Sequence, residues 1–437
     1  MDSAEFMRNL IIETPSSPGN FAKVALVIGT FEGDMGDIQT IKIGTQSTIR
    51  DVSINCRDEA HLMQIVEAIN KISEGIQVHA ITDDVLQAHE GGKIEMKSRM
   101  EIRSLGDLRR VYTPGVANVC ETIKEDPEQA DYFTSISNTV AIVTDGTAIL
   151  GLGNIGPVAG MPVMEGKSVL FNQFANISGI PILLDTSDPD EVVRTVKNIA
   201  PTFGGILLED IGSPHCFEIE ERLKQELDIP VMHDDQHGTA VVTLASVISA
   251  CRQAGVKLSE STVGQIGLGA AGLAISRMLM EYGVKEVQGI DRDEAACDRL
   301  RTHGGTVVDS LETLMETCDI IVATTGVAGL IKPEMVREGQ VILALSNPNA
   351  EIDPKVALEA GAAFAADGRL VNNILGFPGI FRGALNAKTE NITYPMLIAA
   401  ALAIVDSTKS GDLVPHPLDP TVHENVAAAV ERVATEG

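Results

Sequence analysis

The segment Thr262-Val263-Gly264-Gln265-Ile266-Gly267-Leu268-Gly269-Ala270-Ala271-Gly272 demands a strand, a tight turn and a helix in immediate succession. An apolar run ends at Ile266, and the amphipathic stretch Leu273 to Tyr282 starts directly after Gly272. Gly267 allows the tight turn, Gly269 lets the backbone approach a pyrophosphate, and Gly272 permits close helix packing; the helix N-terminus supplies a positive field. The next apolar run, Val287-Gln288-Gly289-Ile290, closes on Asp291, where an acidic residue receives a ribose 2′-hydroxyl. The pattern predicts a doubly wound parallel sheet that binds a dinucleotide through Gly267, Gly269, Ala270, Ala271, Gly272 and Asp291. Asp291 favours NAD, while Arg292, able to meet a 2′-phosphate, leaves NADP open.

A second match to the same glycine pattern, Gly151-Leu152-Gly153-Asn154-Ile155-Gly156, is followed by Pro157, Gly160 and Pro162. These residues oppose a helix in that register, and no acid closes a second strand at the right distance. The segment reads instead as the wall of a substrate cleft.

Two acidic pairs end short apolar runs upstream: Glu209-Asp210 after Ile206-Leu207-Leu208, and Asp234-Asp235 after Val231-Met232-His233. Roughly ten to twelve residues of helix-like sequence separate them, the layout of a β-α-β unit. Parallel neighbours lie roughly 5 Å apart, and ligands in open α/β sheets bind beyond the carboxyl ends of the strands. The pairs would therefore aim carboxylates at one crevice, where they repel one another unless a hard cation sits among them. Oxygen ligands suit Mg²⁺ or Mn²⁺ better than zinc, so His233 and His237 read as structural or as supports for the ligands.

The 437 residues, 44% hydrophobic, suffice for two or three domains with their own cores. A formal charge of -28 argues against nucleic acid as a partner. Cys56, Cys120, Cys216, Cys251, Cys297 and Cys318 show no C-x-x-C spacing, and Met-Asp-Ser-Ala-Glu lacks the regions of a signal peptide, which suggests free thiols in a cytoplasm. Apolar stretches break well short of the roughly 20 residues of a membrane span.

From Met7 to about Gly91 the predicted order is β-α-β-β-α-β: a strand at Leu10 to Glu13, the turn Pro18-Gly19, a helix over Phe21 to Phe31, strands over Ile38 to Ile43 and Thr48 to Asn55, a helix over Glu59 to Ile72, and a strand near Ile76 to Ile81. This resembles the ACT domain, a ferredoxin-like module that often binds small effectors; a packing or dimerisation module without ligand is the alternative. Beyond the linker Gly91-Gly92-Lys93, strand-like runs at Val140 to Val143, Ile180 to Leu184, Gly205 to Leu208 and Ile229 to Met232 alternate with helical stretches. The expected organisation is an ACT-like regulatory module at 1–92, an α/β substrate and metal domain at 93–255, a Rossmann domain at 256–390, and C-terminal helices at 391–437.

Arg109-Arg110-Val111-Tyr112-Thr113-Pro114-Gly115-Val116-Ala117, Thr144-Asp145-Gly146-Thr147-Ala148-Ile149-Leu150-Gly151, Met164-Glu165-Gly166-Lys167, the two acidic pairs, Ala344-Leu345-Ser346-Asn347-Pro348 and Val371-Asn372-Asn373-Ile374-Leu375-Gly376-Phe377-Pro378-Gly379 together closely resemble the malic enzyme family in its smaller bacterial form. The resemblance spans residues 100 to 390. It implies Tyr112 as general acid, Lys167 as general base with Asp234 hydrogen-bonded to it, and Glu209, Asp210 and Asp235 as metal ligands. It further implies Asn347 and Asn373 as substrate-binding residues, Asn372 beside the cofactor, malate and pyruvate as substrate and product, and a homodimer or higher homo-oligomer. Ala148 departs from larger members of the family, which carry an arginine there for a substrate carboxylate; a backbone amide or a residue of a partner subunit would have to replace it.

The implied chemistry is oxidative decarboxylation. A divalent metal acidifies the malate hydroxyl and stabilises the later enolate. Lys167 takes the hydroxyl proton as hydride leaves for nicotinamide, which needs a neutral amine, and Tyr112, neutral at pH 7 and just before a plausible helix start at Thr113-Pro114, protonates the enol carbon. Oxaloacetate decarboxylation is an expected further activity of the same site; a malolactic-type reaction and an effector-binding regulator with a disused core are the alternatives.

Overall fold

The computed structural model describes residues 6–73, 75–347 and 349–436; the Met1 to Glu5 stretch read for a signal peptide and Pro348 of the Ala344 to Pro348 motif lie outside the described residues. The chain divides into two compact units, Met1–Lys93 and Ile94–Gly437.

In the first unit the order is β1 (Phe6–Pro15), α1 (Asn20–Thr30), β2 (Asp34–Ile43), β3 (Ser47–Cys56), α2 (Glu59–Asn70), β4 (Gln77–Thr82) and a short α3 (Asp84–His89). The strands form one antiparallel sheet in the order β2-β3-β1-β4. Alternation in β1 and β3 sends Leu10, Ile12, Val52 and Ile54 to one face, where they meet Val24 and Ile28 of α1 and Leu62, Ile65 and Ile69 of α2 in a separate apolar core. Asp58 starts α2 by accepting the His61 N–H at 2.8 Å.

The second unit opens with α4 (Leu105–Val111), α5 (Val116–Glu125) and α6 (Ala130–Phe133). Four strands, β5 (Thr139–Thr144), β6 (Ser178–Leu183), β7 (Gly205–Leu208) and β8 (Val231–His233), then alternate with α7 (Pro157–Ala175), α8 (Pro189–Ile199) and α9 (His215–Glu226). They form a parallel sheet in the order β6-β5-β7-β8. Val140 to Val143 and Ile206 to Leu208 are fully buried, which their unbroken apolar runs require of strands covered on both faces.

Helix α10 (Thr239–Ala254) leads to the second sheet. There β9 (Thr262–Ile266), α11 (Ala270–Tyr282), β10 (Glu286–Ile290), α12 (Glu294–Thr302), β11 (Thr306–Val307), α13 (Leu311–Thr317), β12 (Ile320–Ala323), β13 (Val341–Ala344), α14 (Pro354–Glu359) and β14 (Phe364–Asp367) follow in turn. The parallel order β11-β10-β9-β12-β13-β14 reverses between β9 and β12, the switch point at which doubly wound sheets open their ligand crevice. Helices α15 (Phe377–Ala387), α16 (Tyr394–Ser407) and α17 (Pro420–Glu436) complete the unit. One apolar cluster runs from Val140 and Ile142 of β5 through Ala240 to Cys251 of α10 to Val263 of β9, Ile404 of α16 and Val430 of α17. Among the described residues no helix is long and apolar enough to cross a membrane.

Two local expectations are corrected. Pro157 does not oppose a helix: it begins α7 at the position where proline has no hydrogen bond to lose and its φ is already helical, and Pro162 within α7 gives up one backbone bond. Tyr112 does not precede a helix start at Thr113-Pro114; it closes α4, with its N–H on Leu108 O at 2.9 Å, and α5 begins at Val116.

Candidate active site

Strands β7 and β8 pair in register, Leu208 opposite His233, so the residues that follow each strand leave the sheet side by side. This juxtaposes Glu209-Asp210 with Asp234-Asp235. One carboxylate oxygen from each of Glu209, Asp210 and Asp235 lies within 4.8 Å of the others. Glu209 and Asp210 are buried, and Glu209 Oε2 and Asp210 Oδ2 have no hydrogen-bond partner among the described residues. Buried carboxylate oxygens without donors are costly, and an oxygen-only set of this kind fits a hard divalent cation such as Mg²⁺ or Mn²⁺.

Asp210 adopts a left-handed backbone, φ 55°, which a residue with a Cβ rarely takes. The conformation is pinned on both sides: the Asp210 N–H donates to Asp235 Oδ2 at 2.9 Å, and the Ala148 N–H donates to Asp210 O at 3.0 Å. The Ala148 amide is thus engaged by the loop after β7. Burial, reinforced by the neighbouring Asp235, pushes the Asp210 carboxyl up to about 7. Burial likewise raises Glu209, against the pull of Lys167.

Lys167 lies on the inward face of α7 with Met164, Ser168 and Phe171. Its ammonium contacts Asp234 Oδ2, sits 2.9 Å from Glu209 Oε1, and lies over the Phe377 ring at 4.5 Å from the centroid. Phe171, one turn on, holds Phe377 edge-on at 4.9 Å. Burial alone would lower the Lys167 pKa, but Asp234 and Glu209 outweigh it and raise it. Asn373 joins the cluster: its Nδ2 donates to Asp234 Oδ2 at 3.2 Å and to Thr239 Oγ1 at 3.0 Å. Asp234 and Asp235 stand in a single π-type turn, Asp234–Gly238, a form common at functional sites. A Cβ on Gly238 would fall 1.9 Å from Asp234 Oδ1, so the turn closes only over glycine.

At the nucleotide turn Gly267 has φ 89° and stands against the Thr324 backbone, while a Cβ on Gly272 would fall 1.9 Å from Gly267 O. A Cβ on Gly269 would meet nothing within 4 Å, so the space beside its backbone is open. Ala270 and Ala271 begin α11. Asp291 follows β10 and accepts the Leu268 N–H at 2.6 Å, tying the acidic position to the turn.

The structure gathers Lys167, Glu209, Asp210, Asp234, Asp235 and Asn373 into one cluster. Among the described residues no hydrogen bond or ion pair ties the other expected site residues to it. Tyr112 is 67% exposed and its hydroxyl makes no hydrogen bond among the described residues. Asn347 Nδ2 donates to Gly368 O at 3.2 Å, and Asn372 Oδ1 accepts the Ile374 N–H at 3.1 Å. His237 bonds Glu220 rather than the carboxylate triad. Thr239 and Phe377 touch the cluster without having been singled out, since a threonine opening a helix and a phenylalanine in an apolar run carry no signal of their own.

Residues 91–224 match the family model "Malic enzyme, N-terminal domain", and residues 234–329 match the NAD binding domain model of D-isomer specific 2-hydroxyacid dehydrogenases. The chain is 65% identical over 434 residues to NAD-dependent malic enzyme 1 of Bacillus subtilis, covering 99% of both chains. It is 42% identical to the NAD-dependent malic enzyme of Geobacillus stearothermophilus over 95% of this chain and 91% of that one. Among solved structures, malic enzyme from Pyrococcus horikoshii superposes with a TM-score of 0.76 at 41% identity, over 81% of this chain and 90% of that chain.

Proposed function

This chain belongs to the malic enzyme family, and on that premise we propose that it oxidatively decarboxylates (S)-malate to pyruvate and CO₂ while reducing NAD. The observation that carries this reading is the ammonium of Lys167 set 2.9 Å from Glu209 Oε1, in contact with Asp234, at the edge of three convergent carboxylates. Glu209, Asp210 and Asp235 would hold Mg²⁺ or Mn²⁺, which would supply Lewis-acid polarisation of the malate hydroxyl and charge stabilisation for the enolate.

Asp234 and Glu209 hold Lys167 as an ammonium. A cation bound among the carboxylates would offset their pull and free the amine to accept the C2 hydroxyl proton, with Asp234 keeping it aimed, while C2 would lose hydride to nicotinamide when the cofactor is bound. Asn373, bonded to Asp234 and Thr239, presents its amide to substrate beside the lysine, and Asn347 supplies a further polar contact. After CO₂ leaves, Tyr112 returns a proton to the enol carbon. Its exposed ring must be covered to act in a water-poor site, which a homodimer or higher homo-oligomer would achieve while burying exposed Leu105, Tyr132, Leu150 and Val158. Gly267 to Gly272 cradle the pyrophosphate, Asn372 lies beside the cofactor, and Asp291 accepts from the ribose 2′-hydroxyl; its negative charge would repel a 2′-phosphate, so NAD is the expected partner over NADP.

We further propose an ACT-like module at 1–92 that takes a small effector, the substrate and metal domain at 93–255, the Rossmann domain at 256–390 and closing helices at 391–437. Six free cysteines support a cytoplasmic setting.

Steady-state kinetics with malate, comparing NAD with NADP and Mg²⁺ with Mn²⁺, test the proposal. Formation of NADH with equimolar pyruvate and CO₂ is expected. Lactate without net NADH would transfer the chain to malolactic chemistry, and no turnover of malate would sink the reading.

A further inference from the structure

The pair Asp234-Asp235 does two jobs within one dipeptide, one carboxylate facing Lys167 and the other facing Glu209 and Asp210. A turn of this kind has to be held at both ends, because rotation of the backbone on either side of the dipeptide would misdirect its side chains. The holding group comes from α9. Glu220 is buried at 5% exposure, and each of its oxygens receives two donors. Oε1 accepts the His233 N–H at 3.0 Å and pairs with Lys224 Nζ at 2.8 Å; Oε2 accepts from Gln236 Nε2 at 3.3 Å and faces His237 Nε2 at 3.0 Å. Opposite a carboxylate, His237 Nε2 must carry the hydrogen. His233 immediately precedes the dipeptide and Gln236 immediately follows it, so one carboxylate grips both flanks of Asp234-Asp235 while touching neither aspartate.

A purely structural use of this position would be better served by an apolar side chain, since a buried carboxylate is expensive even when paired. The neighbouring helix positions Cys216, Ile219 and Leu223 show that the face is otherwise apolar. We propose that Glu220 is a positioning residue for the reaction: by clamping His233, Gln236 and His237 it fixes which way Asp234 and Asp235 point, and so sets both the cation site and the aim of Lys167. This inference rests on the metal and lysine roles given under Proposed function. Groups of this type around metal ligands change affinity by roughly ten- to a hundredfold when removed.

The test uses the full-length protein. Glu220→Gln places an amide donor against existing donors at one of the two oxygens. Measured well below the thermal midpoint, the variant is expected to bind Mn²⁺ alone roughly ten- to a hundredfold more weakly, to lose kcat with malate, and to keep the wild-type Kd for NAD. A merely structural role would lower the midpoint and leave the Mn²⁺ Kd of the folded protein unmoved, and that result would overturn the proposal. Should Glu220→Gln not fold, Gln236→Ala removes one grip and keeps the charge; a severalfold weaker Mn²⁺ affinity is expected, and an unchanged one counts against the clamp. Asp235→Ala, run in parallel, separates the layers: if it binds Mn²⁺ like the wild type, the metal reading itself fails and takes the clamp with it, whereas its loss beside an unaffected Glu220→Gln overturns the clamp alone.

Discussion

Lys167 Nζ and Glu209 Oε1 form a buried ion pair at 2.9 Å, while the other oxygen of the same carboxylate, Oε2, has no hydrogen-bond partner among the described residues. Glu209 thereby belongs both to the lysine ion pair and to the carboxylate triad with Asp210 and Asp235.

Lys167→Arg tests the base without removing the charge that Asp234 and Glu209 require. The guanidinium does not deprotonate in proteins, so kcat with malate should fall by roughly 10²- to 10⁴-fold while the fold and the NAD Kd remain. Lys167→Ala should also abolish malate oxidation, and leaves two buried carboxylates uncompensated at a cost of about 3–5 kcal/mol, visible as a lower thermal midpoint. Normal turnover in either variant removes Lys167 from the mechanism.

Asp235→Ala removes a proposed ligand together with the acceptor that pins Asp210 in its left-handed conformation. Mn²⁺ at about 100 times its Kd should stabilise the wild type by about 2.7 kcal/mol. The variant should show no such gain in differential scanning calorimetry; an undiminished gain would take Asp235 out of the ligand set.

Gly269→Ala and Gly272→Ala should part company. The Gly269 Cβ meets open space, so that variant should fold normally yet bind NAD at least tenfold more weakly, since the methyl occupies the pyrophosphate approach. The Gly272 Cβ would lie 1.9 Å from Gly267 O, and that variant should lose stability whether or not NAD is present. Equal stability of the two by urea titration would contradict the packing of the turn.

The clamp has a pH signature. Burial opposes ionisation of Glu220, but His237 and Lys224 outweigh it and hold the carboxyl well below the usual range. A depressed folded pKa stabilises above the unfolded value of about 4.3, and the contribution is lost as pH falls below it. The gap in thermal midpoint between wild type and Glu220→Gln should therefore be full near neutrality and shrink toward about pH 3. A gap that widens with acid would show that the carboxylate is not ionised in the fold.

The module that ends at Lys93 has its own core of Leu10, Ile12, Val24, Ile28, Leu62 and Ile65. Deleting residues 1–90 should retain malate oxidation and alter the response of kcat or KM to small metabolites. If a panel of amino acids and organic acids moves neither version, the effector reading falls.

Much of the scaffold was legible because its signals are local. Glycines at 267, 269 and 272 between an apolar run and an amphipathic one specify strand, turn and helix whatever surrounds them, and unbroken apolar runs at Val140 and Ile206 mark strands buried on both faces. The acidic pairs were legible as strand-end residues for the same reason. Pro157 misled because proline is a breaker inside a helix and a favoured residue at its first position, and sequence does not say which applies until the helix start is known.

The sequence by itself determined the parallel α/β architecture, the dinucleotide turn and the convergence of carboxylates beyond two strands, since these follow from periodicity and from spacing within a few dozen residues. Only the tertiary structure decided how those groups are used. Lys167 and Asp234 are 67 positions apart, and Asn373 and Asp234 139 positions apart, yet they meet; Tyr112, drawn into the same family motif set, stays exposed on the chain. Glu220, one of many acids on a charged helix, becomes a buried clamp because α9 turns that face toward β8. Burial and donor count, which convert a carboxylate from a solvated charge into a ligand, a partner or a clamp, are properties of packing, and no local pattern encodes them.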